Sequence, residues 1–184
     1  GKFLKSQGKL NGNTVVTTVM SNMGLYKAFE AEGINYEQTA VGDKYVAENM
    51  LENNYSIGGE QSGHVIFSRY AATGDGILTS LMIMEACVEQ KATLCDLAKE
   101  MKVYPQILRN VRVADKKTAR ENPKVVEAVE AAARALSTDG RILVRESGTE
   151  PLIRVMVEAG TEEICAEHVN NVVRVMEEEG LVVE

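Results

Sequence analysis

The residues best suited to chemistry stand in two short stretches. The first is Ile57-Gly58-Gly59-Glu60-Gln61-Ser62-Gly63-His64, where four polar side chains sit among three glycines. Glycine lets a backbone take positive φ and come close to a ligand, so such a loop can turn several polar tips toward one point. The Glu60 carboxylate can accept hydrogen bonds from two neighbouring hydroxyls, while Ser62 and the His64 imidazole can donate or accept. That set suits a polyhydroxylated ligand. The same residues also fit a plain tight loop between two strands. A Ser62/His64 nucleophile pair is a rival reading, although Gly59-Glu60-Gln61-Ser62-Gly63 is not the GxSxG elbow and no third orienting group is evident.

The second stretch is Arg145-Glu146-Ser147-Gly148-Thr149-Glu150-Pro151, between two strand-like runs. Arg145 offers a planar fork of donors that fits two phosphate oxygens, and Ser147 and Thr149 add hydroxyls. Gly148 permits a curved backbone whose N–H groups face one anion. The GxxxxGK[ST] pattern of nucleotide hydrolases is missing, and an ordinary Ser-Gly-Thr hairpin turn is the alternative. Arg154 follows in the outgoing strand, where Glu158 or Glu146 could pair with it. Glu146 and Glu150 would repel a bound phosphate if they pointed inward, so both are expected to face away from it, toward lysines, arginines or solvent. His168, beside Val169 in a helical pattern, reads as a packing or exposed histidine.

Composition narrows the setting of these stretches. The chain has 184 residues, 45% hydrophobic and 26% charged, without a low-complexity tract, and reads as globular. A net charge of −7 argues against attraction to nucleic acid or an anionic membrane, so an anion must be held by local cations. Cys87, Cys95 and Cys165 form no CxxC pair and lie in apolar helical patterns, as small buried thiols of a reducing cytoplasm would. The apolar run from Ile77 to Val88 is too short to cross a bilayer, and no secretion signal is visible. A start at Gly1-Lys2-Phe3 without methionine is consistent with a fragment of a longer chain.

The elements that must position the two stretches follow an α/β rhythm. Thr14 to Val19 is a strand covered on both faces, and Ser21 or Asn22 can cap the helix that stops at Gly33. Tyr36 to Val41 is a second strand, with Asp43 as a candidate cap of the helix after it. Val65 to Tyr70 leaves the first loop as a strand. Thr73 and Asp75 are candidate caps of a helix apolar most of the way round, which predicts burial. Thr93 and Asp96 have the spacing of a capping box. The best boundary is Tyr104-Pro105-Gln106, separating an α/β domain with a mixed sheet (1–104) from a smaller α+β two-layer domain (105–184). In the latter, Val111-Arg112-Val113 is a new strand, and Asn122-Pro123 opens a helix facing inward with Val125, Val129, Ala132, Ala133 and Leu136. Arg141 to Arg145 and Leu152 to Glu158 are strands, and Thr161 caps a last helix with Cys165, Val169, Val172 and Met176 inside.

Gly59-Glu60-Gln61-Ser62-Gly63-His64, followed by Val65-Ile66-Phe67 and Thr73-Gly74-Asp75-Gly76, resembles the sugar-binding loop of the α-D-phosphohexomutase superfamily. Arg145 to Pro151 resembles that family's phosphate-binding loop, and the likeness covers the last two of its four domains. Gln61, Tyr70 and the Gly74-Asp75-Gly76 helix start incline it to the glucosamine branch. The resemblance implies a mutase interconverting glucosamine 6-phosphate and glucosamine 1-phosphate through a phosphoserine enzyme and a bisphosphate intermediate, on the way to cell-wall amino sugars. It further implies that Glu60, Ser62 and His64 grip the sugar with Lys44 as an added contact, and that Arg145, Ser147, Gly148, Thr149 and Arg154 hold phosphate. The phosphoserine and the Mg2+ ligands are expected upstream, since Asp43, Asp75, Asp96, Asp115 and Asp139 are too dispersed for a DxDxD-type loop. Partners are then a phosphosugar and the missing N-terminal domains, without nucleic acid or membrane, and a homodimer is left open. By itself the chain is expected to be inactive. A phosphomannomutase or phosphoglucomutase fragment, or a non-catalytic phosphosugar-binding module, are the alternatives.

Overall fold

Strand β1 (Thr14–Thr18) is buried along its whole length. Successive side chains of a strand reach opposite faces, and here each face meets a different core. Val16 packs with Val46, Met50 and Ile66, whereas Val15 packs with Phe29 and Ile34. The first partners belong to helix α3 (Asp43–Asn53) and strand β4 (Val65–Phe67), the second to and just beyond α2 (Met23–Ala31). A run without polar alternation is therefore a strand, because helices cover both sides.

The computed structural model describes residues 1–183 and divides into two units, Gly1–Val103 and Tyr104–Glu184. In the first, α1 (Lys2–Ser6), β2 (Asn35–Thr39), β3 (Ile57–Gly59), α4 (Gly76–Gln90) and α5 (Leu94–Ala98) complete the set. The sheet order is β2-β1-β3-β4, with β1 parallel to β2 and β3, and β4 antiparallel to β3. Parallel pairing brings the carboxyl ends of β2 and β3 to the same edge, where the Gly42 turn and the Glu60–His64 loop emerge.

Caps placed by residue type mostly hold. Asn22 accepts from the Gly24 N–H at 3.0 Å, and Asp75 accepts from the Ile77 and Leu78 N–H groups. The Thr93/Asp96 capping box is closed in both directions. Asp43 differs: Gly42 is the N-cap of α3, and Asp43, one position later, takes the Lys44 N–H. The expected burial of α4 is also overturned. Only Ala86 is buried, while Ile77, Leu81, Met84 and Val88 are 76%, 55%, 53% and 76% exposed. At 100° per residue these four lie on the side opposite Ala86, so the helix packs by one face and leaves an apolar stripe uncovered. The cysteines divide likewise, Cys165 buried, Cys87 half-buried and Cys95 exposed.

In the second unit, β5 (Gln106–Arg112), β6 (Arg141–Glu146) and β7 (Leu152–Glu158) form an antiparallel sheet of order β5-β7-β6. Helices α7 (Pro123–Leu136) and α8 (Glu162–Glu178) cover it, with Ile153, Val155 and Val157 packed on Val125, Val169 and Met176. Asn122 caps α7 through the Lys124 and Val125 N–H groups, and Thr161 caps α8. Ala128 takes the inward place expected of Ala133, which is exposed. The short helix α6 (Lys116–Glu121) was not legible as an element; Asp115 caps it through the Thr118 N–H at 2.6 Å. The fully buried Glu158 carboxylate accepts from Gln106 Nε2 and Arg141 Nε, both at 2.7 Å, so Arg141 rather than Arg154 is its partner. No helix of the described residues is long and apolar enough to cross a membrane.

Candidate functional site

The hairpin between β3 and β4 closes on itself, with the Glu60 N–H donating to the His64 carbonyl at 2.9 Å and the Gly63 N–H to that of Glu60 at 3.0 Å. Gly63 sits at φ 97, a conformation L side chains rarely adopt, so its glycine is a backbone requirement. Glu60 is half-buried, and one of its oxygens accepts from the Gly42 N–H at 2.8 Å. The carboxylate thereby joins the turns after β2 and β3. Its second oxygen has no protein partner among the described residues, and it is free to accept from a ligand.

Gln61, Ser62 and His64 are exposed. Ser62 Oγ lies 3.0 Å from His64 Nδ1, so the pair considered for nucleophilic chemistry does meet. Among the described residues no carboxylate bonds the imidazole to orient it, and the two side chains offer instead a joined donor–acceptor edge. Gln61 Oε1 accepts from Thr18 Oγ1 at 3.3 Å, anchoring the loop to β1. Beside it is a cavity of about 470 Å³ lined by Ser21, Asn22, Gly59, Glu60, Gln61 and Val65 among others, within the usual range for small-molecule sites. Lys44 is exposed; its ammonium lies 3.7 Å from Glu48 and 5.8 Å from the Tyr45 ring centroid, turned along α3. The structure bonds it to none of the loop residues.

In the second unit, antiparallel register sets Arg145 of β6 directly against Arg154 of β7. Like charges opposite one another are unfavourable. The Nε of each is buried without a hydrogen-bond partner. Burial, and then the charge of Arg154, pulls the Arg145 guanidinium below its ordinary pKa, though it stays charged at any physiological pH. Two crowded cations with unanswered donors make a site that an anion would relieve.

Ser147 is buried; its Oγ accepts from the Glu150 N–H at 3.3 Å and stands 3.5 Å from Arg154 Nη2. Gly148 and Thr149 are exposed, and the Gly148 backbone is not in the left-handed region. A Cβ on Gly148 would meet open space, so glycine there leaves room for approach instead of relieving strain. Of the two acids, Glu146 pairs with Arg120 at 3.1 Å, whereas Glu150 pairs with Arg154 itself at 3.1 Å. The second therefore holds a cation of the candidate site. Sequence reasoning missed Lys116, whose Nζ donates to the Ser147 carbonyl at 2.8 Å, because that partner lies 31 residues on.

The residues present do not fit a metal. No group of three or more His, Cys, Asp or Glu side chains is placed to hold one among the described residues, and Asp75, Asp96 and Asp115 are engaged as helix caps.

Residues 1–104 match the family described as Phosphoglucomutase/phosphomannomutase, alpha/beta/alpha domain III, and residues 108–175 match Phosphoglucomutase/phosphomannomutase, C-terminal domain. The phosphoglucosamine mutase of Lachnospira eligens is 60% identical over 183 residues, covering 100% of this chain and 41% of that protein. That of Lachnoclostridium phytofermentans is 57% identical over 180 residues, covering 98% and 40%. Among solved structures, Aspergillus fumigatus N-acetylphosphoglucosamine mutase in complex with GlcNAc-6P and magnesium has a similar fold, at TM-score 0.78 and 18% identity, over 97% of this chain and 41% of that one. The chain spans about 40% of the length of the curated relatives it matches.

Proposed function

The chain belongs to the phosphoglucomutase/phosphomannomutase family, and from that premise we propose that it is the domain III and C-terminal part of a phosphosugar mutase interconverting glucosamine 6-phosphate and glucosamine 1-phosphate. In this reaction an enzyme phosphoserine gives its phosphoryl group to the free hydroxyl of the substrate. The bisphosphate turns over, and its other phosphate returns to the serine. Both half-reactions require a loop that grips the sugar in either orientation and a second that holds the phosphate not reacting. We assign Glu60, Ser62 and His64, with Lys44, to the sugar, and Arg145, Ser147, Gly148, Thr149 and Arg154 to the phosphate. The observation that carries the reading is the Arg145/Arg154 pair, facing across two strands with both Nε groups buried and unpartnered.

The phosphoserine and the Mg2+ ligands would belong to the rest of a longer, cytoplasmic parent protein. Positioning without a nucleophile or a counter-cation cannot carry phosphoryl transfer. The purified 184-residue chain should therefore not turn over glucosamine 6-phosphate. Joined behind the remaining segments of the Lachnospira eligens relative, it should do so in preference to glucose and mannose 6-phosphates. Arg145→Ala in that fusion should lower kcat/KM by at least about tenfold, the scale of one charge-assisted contact. Turnover by the isolated chain, or a fusion indifferent to Arg145, would sink the proposal.

The Ser62–His64 contact favours one second reading, a hydrolase. It predicts covalent labelling of Ser62 by a serine-directed phosphonate, which the mutase reading does not. A free-standing binding module would instead take up glucosamine 6-phosphate in calorimetry with useful affinity, where a divided cleft would bind it weakly.

A further inference from the structure

Lys116 has no part in the assignment above, yet it makes the one side-chain bond from α6 to the backbone of the phosphate loop among the described residues. It opens α6, is half-buried, and donates to the carbonyl oxygen of Ser147 at 2.8 Å across 31 residues of sequence. On the next turn Arg120 takes Glu146 at 3.1 Å, so the same short helix grips the loop twice. The Ser147 N–H is meanwhile fixed to the Leu152 carbonyl at 2.9 Å.

A trans peptide is planar, with its C=O and the following N–H pointing in opposite directions, and no peptide among the described residues is cis. A Ser147 carbonyl aimed at Lys116 therefore aims the Gly148 N–H the other way. That N–H has no partner among the described residues. Were the peptide to rotate, a partly negative carbonyl would take the place of that donor. We propose that Lys116 is a positioning residue of the phosphate loop: it locks the Ser147–Gly148 peptide with the Gly148 N–H toward the bound phosphate, and it sets a third positive charge behind Arg145 and Arg154. The proposal rests on the phosphate reading of this loop.

Titrating the 15N-labelled 184-residue chain with inorganic phosphate tests it, followed at the amides of Ser147, Gly148 and Thr149. Arg145→Ala should weaken binding by at least about tenfold. Lys116→Met should weaken it by about fivefold and move the Gly148 amide resonance before any phosphate is added, while amides of β7 stay in place. Lys116→Arg should restore affinity to within about twofold of the parent, a rescue that a merely structural role for the lysine stem would not give. If the methionine variant does not fold, Lys116→Gln, which keeps a donor without the charge, should fold and still bind more weakly. Affinity and a Gly148 resonance unchanged by loss of Lys116, with Arg145→Ala still damaging, overturn this inference alone. Binding indifferent to Arg145 as well overturns the phosphate reading and this inference together.

Discussion

Glu150 competes for the site that its own loop builds. Its carboxylate pairs with Arg154 at 3.1 Å, but with the acid side chain 54% exposed the pair is solvated, and such pairs contribute about 1 kcal/mol or less. A dianionic phosphate should displace it. Glu150→Gln should thus tighten inorganic phosphate binding by about two- to fivefold in the same titration, within that energy range; weaker binding would show the acid to be part of the site. Asp115 acts one step back, as the cap of the helix carrying Lys116. The Thr118 side chain and N–H, in that order, hold its carboxyl below the usual range. A depressed folded pKa stabilises above the unfolded value of about 3.9 and is lost as pH falls through the folded one. The Thr118 amide resonance should stay constant from neutral pH to about 5 and move below about 4, and Asp115→Asn should abolish that step. Asn22, Asn122, Thr161 and the Thr93/Asp96 box could be read locally, because a short polar side chain answers an N–H two or three residues on; Asp115 makes the same contact with Thr118 but opens a helix too short to stand out in the pattern. Lys116 was invisible to the same reasoning, since its partner lies 31 residues away and nothing in its neighbours specifies a carbonyl.

Helix α4 shows where element-level inference stops. Its existence and start follow from Asp75 and an apolar run, but periodicity cannot say whether a second face will find a cover. Ala86 packs, and Ile77, Leu81, Met84 and Val88 look away from it. A substitution on that stripe removes little burial, so Leu81→Ser with Met84→Ser should leave the stability of the 184-residue chain within about 1 kcal/mol, and reduce its binding of a hydrophobic dye. A loss of several kcal/mol in chemical denaturation would mean that the stripe is covered in solution. Helix α7 behaves oppositely. Removing the side chain that answers the Lys124 and Val125 N–H groups, by Asn122→Ala, should cost about 1 kcal/mol.

At the scale of the whole chain, the α/β rhythm was readable because β1 needed cover on two faces, and the antiparallel trio of β5, β6 and β7 because two strands bracket the Arg145 loop. Convergence of turns was not readable. That the Gly42 N–H reaches Glu60 is a product of parallel pairing, which brings the ends of β2 and β3 to the same edge of the sheet, one on either side of β1. The Arg145/Arg154 confrontation is a matter of register, and a slip of one residue would place Arg154 on the other face of the sheet. The buried clusters share no residue between units: one is built on Val111, Val155 and Met176, the others on Val16 and Val15. Met176→Ala deletes a fully buried side chain from the first alone, a change that typically costs 2–5 kcal/mol, or about 3 at the centre. Hydrogen exchange should accordingly quicken at the amides of β5 and β7, whose slow exchange depends on that core, while the amides of β1 keep their protection. Equal acceleration in β1 would show the two cores to unfold as one, and the Arg145 loop would then owe its register to residues well outside its own sheet.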